Sequence, residues 1–254
     1  MKKIIFNGIE LAYERRGKGT PLVLIHGYPL DHSIWAEVAK LLENDFDLIL
    51  PDVRGFGEST TVAEPYTMTN LAEDMAALLD ALGLKQAAFA GHSMGGYVAL
   101  AFAKAFPSRI NGLVLVASQA AADAPERKEG RYKTAAEVSQ KGVQIVVDAM
   151  TDKLSSEPSI RDFIRPLIGK QSVAGVTGAL KAMAEREDLS SFLAEFTHPL
   201  VLIHGTVDEL IPPDRAREIK ALVPSAHFVE LTGAGHMPMM EQPRQTADAL
   251  ALLK

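Results

Sequence analysis

The chain contains no cysteine. That excludes disulfide scaffolds, thiolate catalysis and cysteine-based zinc sites, and it fits a reducing compartment. It also lacks any His-x-x-x-His or His-Glu-x-x-His pattern, so no helical metal-ligand pair is written into it. No apolar run approaches the roughly 20 residues of a membrane span. The opening stretch Met1–Gly8 carries two lysines but too few apolar residues for a signal-peptide core. Basic residues are in deficit: the net charge of −6 argues against nucleic acid as a partner. These absences leave a cytoplasmic protein, acting without membrane or nucleic acid, as the expectation.

What is present is an ordinary globular composition: 254 residues, 47% apolar and 23% charged, with no low-complexity tract. That length suits one large domain, or one domain carrying an insertion. A hairpin is expected over Ile4–Phe6, Asn7-Gly8 and Ile9–Arg15. Apolar runs at Pro21–His26, Phe46–Leu50, Gln86–Ala90 and Gly112–Ala117 read as strands buried on both faces. Helical patterns at Ile34–Leu42, Met68–Leu82 and Tyr97–Phe106 separate them. Such alternation calls for a parallel sheet with helices on both faces.

The alternation breaks after Ser118. Charged, alanine-rich segments over about Ala124–Lys141, Val143–Leu154, Ile160–Ile168 and Val173–Arg186 read as helices. Strands resume at Pro199–His204 and Ala226–Leu231, with helices at Asp214–Leu222 and Pro243–Leu253. Residues 119–190 are therefore expected as a helical cap on a core of residues 1–118 and 191–254. The cap carries 11 acids and 11 bases, so the net negative charge belongs to the core.

The most informative stretch is Gly91-His92-Ser93-Met94-Gly95-Gly96, wedged between a strand and a helix. A serine with glycine two positions to either side in that context is the nucleophile-elbow pattern. The turn is tight enough to strain the serine backbone, and side chains at 91 and 95 would strike the neighbouring helix and strand. Serine needs a base. His236 stands out among seven histidines, in the loop Thr232-Gly233-Ala234-Gly235-His236 after the last strand. His92 is expected to be packed or at the surface, and His26 and His204 to end strands. The base needs an acid to set its tautomer. Asp208 lies just beyond the strand ending at His204, where open α/β sheets build sites. Glu209 is its neighbouring competitor, while Ser118-Gln119 offers no carboxylate at the other possible location. Ser93, Asp208 and His236 then follow the Ser…Asp…His chain order. Oxyanion donors are expected from the backbone N–H groups of Met94 and Tyr28, the latter in His26-Gly27-Tyr28-Pro29.

With these motifs, together with Pro51–Ser59 and Ile211-Pro212-Pro213, the chain resembles the α/β-hydrolase superfamily over essentially its whole length. It looks most like the small carboxylesterases and the enol-lactonase-like and perhydrolase-like branches. The resemblance implies an eight-stranded, mostly parallel sheet with a helical cap inserted after strand six. Ser93 stands where haloalkane dehalogenases and epoxide hydrolases carry aspartate, which argues against those activities. Asp52 and Arg54 are read as braces beneath the site. Met237, Met239 and Met240 are candidates for an acyl pocket or for core filling.

The expected function is a serine carboxylic-ester hydrolase for short-chain, water-soluble esters, acting through an acyl-enzyme. No metal and no organic cofactor is required, because the triad itself supplies nucleophile and base. Lactone or enol-lactone opening, perhydrolysis and C–C hydrolysis would use the same residues. A small-molecule receptor on this fold would also retain them. The cap arginines Arg127, Arg131, Arg161, Arg165 and Arg186 read mostly as solvated charges, unless one faces the pocket and selects a carboxylate.

Overall fold

The computed structural model describes residues 1–63 and 65–254. Strands β1 (Lys2–Phe6) and β2 (Ile9–Gly17) pair antiparallel across Asn7-Gly8. Both turn residues have positive φ, 48° and 78°, the twist a two-residue hairpin demands. The remaining strands are β3 (Thr20–Ile25), β4 (Phe46–Pro51), β5 (Ala87–His92), β6 (Ile110–Val116), β7 (Leu200–Gly205) and β8 (His227–Leu231). They form one eight-stranded sheet in the order β1-β2-β4-β3-β5-β6-β7-β8. β2 meets β4 antiparallel, and every pairing from β4 through β8 is parallel. Leu22–Ile25, Phe89, Ala90 and Leu113 are wholly buried, because helices cover both faces of these strands.

Between β3 and β7 lie α1 (Ala36–Leu42), α2 (Met68–Ala81) and α3 (Met94–Ala105). They are followed by α4 (Pro125–Lys141), α5 (Gln144–Leu154), α6 (Pro158–Gly169), α7 (Val173–Ala184) and α8 (Ser190–Ala194). The chain closes with α9 (Asp214–Leu222), α10 (Pro238–Glu241) and α11 (Pro243–Leu250). α2 packs on α3 and α1 on α11. All regular structure between β6 and β7 is helical among the described residues, with α4 laid against α7 and α5 against α6. In α6, Ile160, Ile164 and Ile168 recur at i, i+4 and form its buried stripe.

The expected elements are present, with shifted ends. The turn ahead of α1 is a 3₁₀ segment, His32–Trp35, because Asp31 accepts the Ser33 N–H at 2.9 Å and tightens it. α3 begins at Met94, three residues before the periodic apolar pattern. The last helix stops at Leu250 and continues as a 3₁₀ turn. The short α8 and α10 were not legible, since four or five residues hold too little periodicity to read. The arrangement matters for function because the C-terminal ends of β3, β5, β7 and β8 all open on one edge. They deliver Tyr28, Ser93, Asp208 and His236 to it.

Candidate active site

Ser93 sits between β5 and α3 at φ 51°, ψ −113°, a backbone conformation L-residues rarely adopt. A Cβ on Gly91 would lie 2.1 Å from the Gly95 carbonyl oxygen, and one on Gly95 would lie 2.4 Å from that of Ile25. The two glycines let α3 start directly against β5 and β3, which lifts Ser93 clear of the sheet. The elbow is further tied down from β6. Ser93 N–H donates to the Val116 carbonyl at 2.9 Å, and the Ser118 hydroxyl donates to the Ser93 carbonyl at 2.8 Å. Ser118, set aside in the sequence for want of a carboxylate, is thus a strut for the strained turn.

His236 and Asp208, 28 residues apart, meet in the interior. Nδ1 of His236 lies 2.8 Å from Oδ2 of Asp208. The other carboxylate oxygen accepts the N–H groups of Leu210 and Ile211, at 2.9 and 3.0 Å. His204 Nε2 stands 3.3 Å from Oδ2 and 2.8 Å from the Ile211 carbonyl. Burial by itself would raise the Asp208 carboxyl. The charge of His236 and hydrogen bonds from His204, His236 and the Ile211 backbone outweigh it, holding the group well below the usual carboxylate range. Glu209 points into solvent.

His26, His32 and His92 are held in structural contacts, while His198 and His227 are exposed. His26 is fully buried, and its Nε2 accepts the Val53 N–H at 2.9 Å. Burial pushes its pKa down. His92 is also fully buried, and burial first, then the charge of His236, hold it well below the ordinary value. Asp52 binds His32 through both backbone N–H (3.0 Å) and Nδ1 (2.7 Å), and accepts the Glu58 N–H at 2.9 Å. Asp31, His32 and Asp52 lie close enough to suggest a cation cluster, but Asp52 already has both oxygens committed to these donors. Arg54 forks onto Asp74 at 2.9 and 2.5 Å. The bracing role expected of Asp52 and Arg54 matches this geometry.

Ser93 and His236 line one cleft of about 50 Å³. Tyr28, Tyr97, Leu210 and Ile211 contribute from the core, and Arg127, Arg131, Met150 and Met183 from the helical segment. The methionine reading divides here. Met237 and Met239 are fully buried in the core, and the cleft takes Met150 and Met183 instead. Met94, the expected oxyanion donor of α3, has a wholly buried side chain at the first helical position. That leaves its N–H at the unpaired, positive end of the helix.

The arginines also divide. Arg161 and Arg165 reach exposed Asp152 and Asp148, at 3.3 and 3.9 Å, as solvated helix-face charges. Arg127, Arg131 and Arg186 instead converge on Asp123, whose side chain is fully buried. Arg186 also lies over the Tyr97 ring at 4.2 Å.

Known proteins support the fold and point to ester chemistry. A family model described as alpha/beta hydrolase fold matches residues 20–243. An esterase from Thermogutta terrifontis, solved with malate bound, superposes with a TM-score of 0.95 at 35% identity, covering 99% of this chain and 97% of its own. The enol-lactonase from Burkholderia xenovorans LB400 superposes with a TM-score of 0.91 at 27% identity, covering 99% of each chain. A dihydrolipoyllysine-residue acetyltransferase component of the acetoin cleaving system from Pseudomonas putida is 33% identical over 89% of this chain. The chain spans only 61% of that relative's length.

Proposed function

The chain belongs to the alpha/beta hydrolase fold family; from that premise we propose that it hydrolyses ester bonds, as a serine carboxylic-ester hydrolase for short-chain, water-soluble esters working through an acyl-enzyme. The observation that carries the reading is the 2.8 Å contact between His236 Nδ1 and Asp208 Oδ2, beside Ser93 in one cleft.

In this mechanism Asp208 accepts the Nδ1–H of His236, which leaves Nε2 unprotonated and able to take a proton. Ser93 Oγ attacks the ester carbonyl as its proton passes to Nε2. The N–H groups of Met94 and Tyr28 receive the developing oxyanion. The tetrahedral adduct collapses, the alkoxide leaves with the proton held by His236, and Ser93 keeps the acyl group. Water, deprotonated by His236, then releases the acid and restores the serine. Asp208 stays anionic throughout, because its carboxyl is held so far below the working range. A lactone ring would open by the same steps, and the likeness to an enol-lactonase supports testing one.

The test is covalent labelling with phenylmethanesulfonyl fluoride, followed by peptide mass mapping and assay on p-nitrophenyl acetate. Modification of Ser93 with parallel loss of multiple turnover is expected. Ser93→Ala and His236→Ala should each lose several decades of kcat, and Asp208→Asn a similar or smaller amount. Full activity in Ser93→Ala would overturn the mechanism. Loss in Glu209→Ala with Asp208→Ala active would move the acid by one residue. Stoichiometric binding without turnover would favour a receptor instead.

A further inference from the structure

The cleft beside Ser93 has an excess of positive charge. Three guanidinium groups share the single buried carboxylate of Asp123. Arg131 contacts it through Nε, Arg186 through Nη1 at 2.8 Å, and Arg127 through Nε at 3.5 Å. The cluster therefore keeps two positive charges that no carboxylate within it offsets. Arg127 and Arg131 both line the cleft, and among the described residues its wall contains no acid. Asp208, nearby, is already saturated by His236, Leu210 and Ile211.

The donors facing this cleft are also poorly used. Among the described residues, Nη1 of Arg131 has only the Met183 sulfur at 3.3 Å, a weak acceptor. Nη1 and Nη2 of Arg127 both turn to the one carbonyl oxygen of Leu210, at 3.3 Å each. The Tyr28 phenol is buried, lines the same cleft and has no hydrogen-bond partner among the described residues. Buried polar groups are nearly always paired, and an orphan costs free energy until something pairs it. Burial pushes the Tyr28 phenol far above its ordinary range, so it remains a donor. A planar anion with two oxygens matches a guanidinium fork and one added hydroxyl.

We infer that Tyr28, Arg127 and Arg131 form a carboxylate subsite, so that the preferred substrates are small esters or lactones bearing a free carboxylate. The inference rests on the serine-hydrolase reading and specifies its substrate class. For a dicarboxylic half-ester, water and the ester yield the alcohol, the dicarboxylate and one proton. One carboxylate stays in the subsite while the ester carbonyl is presented to Ser93. The released dicarboxylate keeps the same anchor and acts as a competitive inhibitor.

The experiment compares monomethyl succinate with methyl levulinate, which replaces the carboxylate by a methyl ketone at equal chain length. Methanol release is followed at pH 7.5, and succinate binding is measured by calorimetry on the same protein. The wild type should favour the half-ester about tenfold or more in kcat/KM, expressed mainly in KM. Arg127→Gln and Tyr28→Phe should each shrink that ratio several-fold and weaken succinate binding. The Arg127 side chain is 42% exposed, Asp123 keeps Arg131 and Arg186 without it, and the Tyr28 hydroxyl bonds no described residue, so both variants should stay folded, and melting temperatures check this. If methyl levulinate is cleaved as well as the half-ester, the subsite is overturned and the hydrolase reading stands. If neither ester is cleaved but succinate binds and Arg127→Gln weakens it, the hydrolase reading falls and the subsite survives. Tighter binding of inorganic phosphate than of succinate would overturn the assignment to a carboxylate.

Discussion

Nε2 of His92 lies 2.8 Å from the backbone carbonyl oxygen of His236, so the residue before the proposed nucleophile holds the residue proposed as base. The two rings are 4.9 Å apart. The opposite side of the His92 ring abuts the Tyr28-bearing loop, where a Cβ on Gly27 would fall 2.5 Å from Nδ1. His92 is thus packed between the two loops that carry the expected oxyanion donor and the base. Nδ1 itself has no hydrogen-bond partner among the described residues. A neutral ring with its proton on Nε2 donates to the His236 carbonyl and leaves Nδ1 an unpaired acceptor, and burial keeps the ring neutral.

His92→Leu keeps most of the volume and removes the donor. We expect a stability loss of about 1–3 kcal/mol, from an unpaired buried carbonyl. We also expect kcat to fall about ten- to a hundredfold through misplacement of His236, with KM little changed. Restoration of kcat in His92→Gln, whose amide can donate, would separate this positioning role from simple packing. Steady-state kinetics and thermal melts check both points. Unchanged kcat in His92→Leu would refute the positioning role.

Acid should destabilise the fold through three buried carboxylates. In Asp52, Asp123 and Asp208, burial favours the neutral form but is outweighed. His32 and His26 do this for Asp52, Arg131 and Arg186 for Asp123, and His236 and His204 for Asp208. A folded pKa below the unfolded value means stability that is present above about pH 4 and lost as pH falls through the lower folded value. Asp74 and Glu241 act oppositely, since burial raises both, but they are outnumbered. The buried neutral rings of His26 and His92, held below their ordinary value, add a loss that begins below about pH 6.5, so the melting temperature should be level from about pH 7 upward, decline gently below that and fall more steeply below about pH 4. Asp123→Asn should melt lower at pH 7 and show a shallower acid slope. An acid slope as steep as the wild type's would remove Asp123 from the account.

Acyl-chain length should be limited by Tyr97. Its ring lines the Ser93 cleft of about 50 Å³ and also a second cavity of about 210 Å³, walled by Met68, Leu100 and Leu189. In the wild type, kcat/KM should fall once the acyl chain exceeds about six to eight carbons, as apolar wall runs out. Tyr97→Ala should join the two spaces and raise the octanoate-to-acetate ratio of p-nitrophenyl esters about tenfold. Adding Leu100→Trp should reverse the gain by filling the second cavity. An unchanged ratio in Tyr97→Ala would show that the cavities do not communicate there.

Much of this was legible in the chain because the chemistry is local. The elbow at Ser93 follows from glycines two residues away, which alone permit the approach of α3 to β5 and β3. The hairpin follows from Asn7-Gly8, and the parallel sheet from buried apolar runs alternating with amphipathic helices. Asp208 and His236 could be singled out because each follows a strand end, where this architecture gathers its polar groups. The choice between Asp208 and Glu209 is also local, since neighbouring residues of the turn face apart.

What tertiary structure decided are contacts between segments far apart in sequence, whose side-chain directions depend on how each helix is rotated and seated. No periodicity tells that Arg127 and Arg131 face Ser93 while Arg161 and Arg165 face water. Nor does composition distinguish Met183, on the cleft, from Met239, in the core. The contacts of Asp123 with Arg127 and Arg131 are local to the start of α4, but the third, from Arg186 just past α7, appears only once α4 and α7 pack. The same holds for His92 and His236, which are 144 residues apart and meet only because β5 and β8 end on the same edge of the sheet. Local turn chemistry therefore singled out the residues proposed to react, and long-range packing decided what surrounds and orients them.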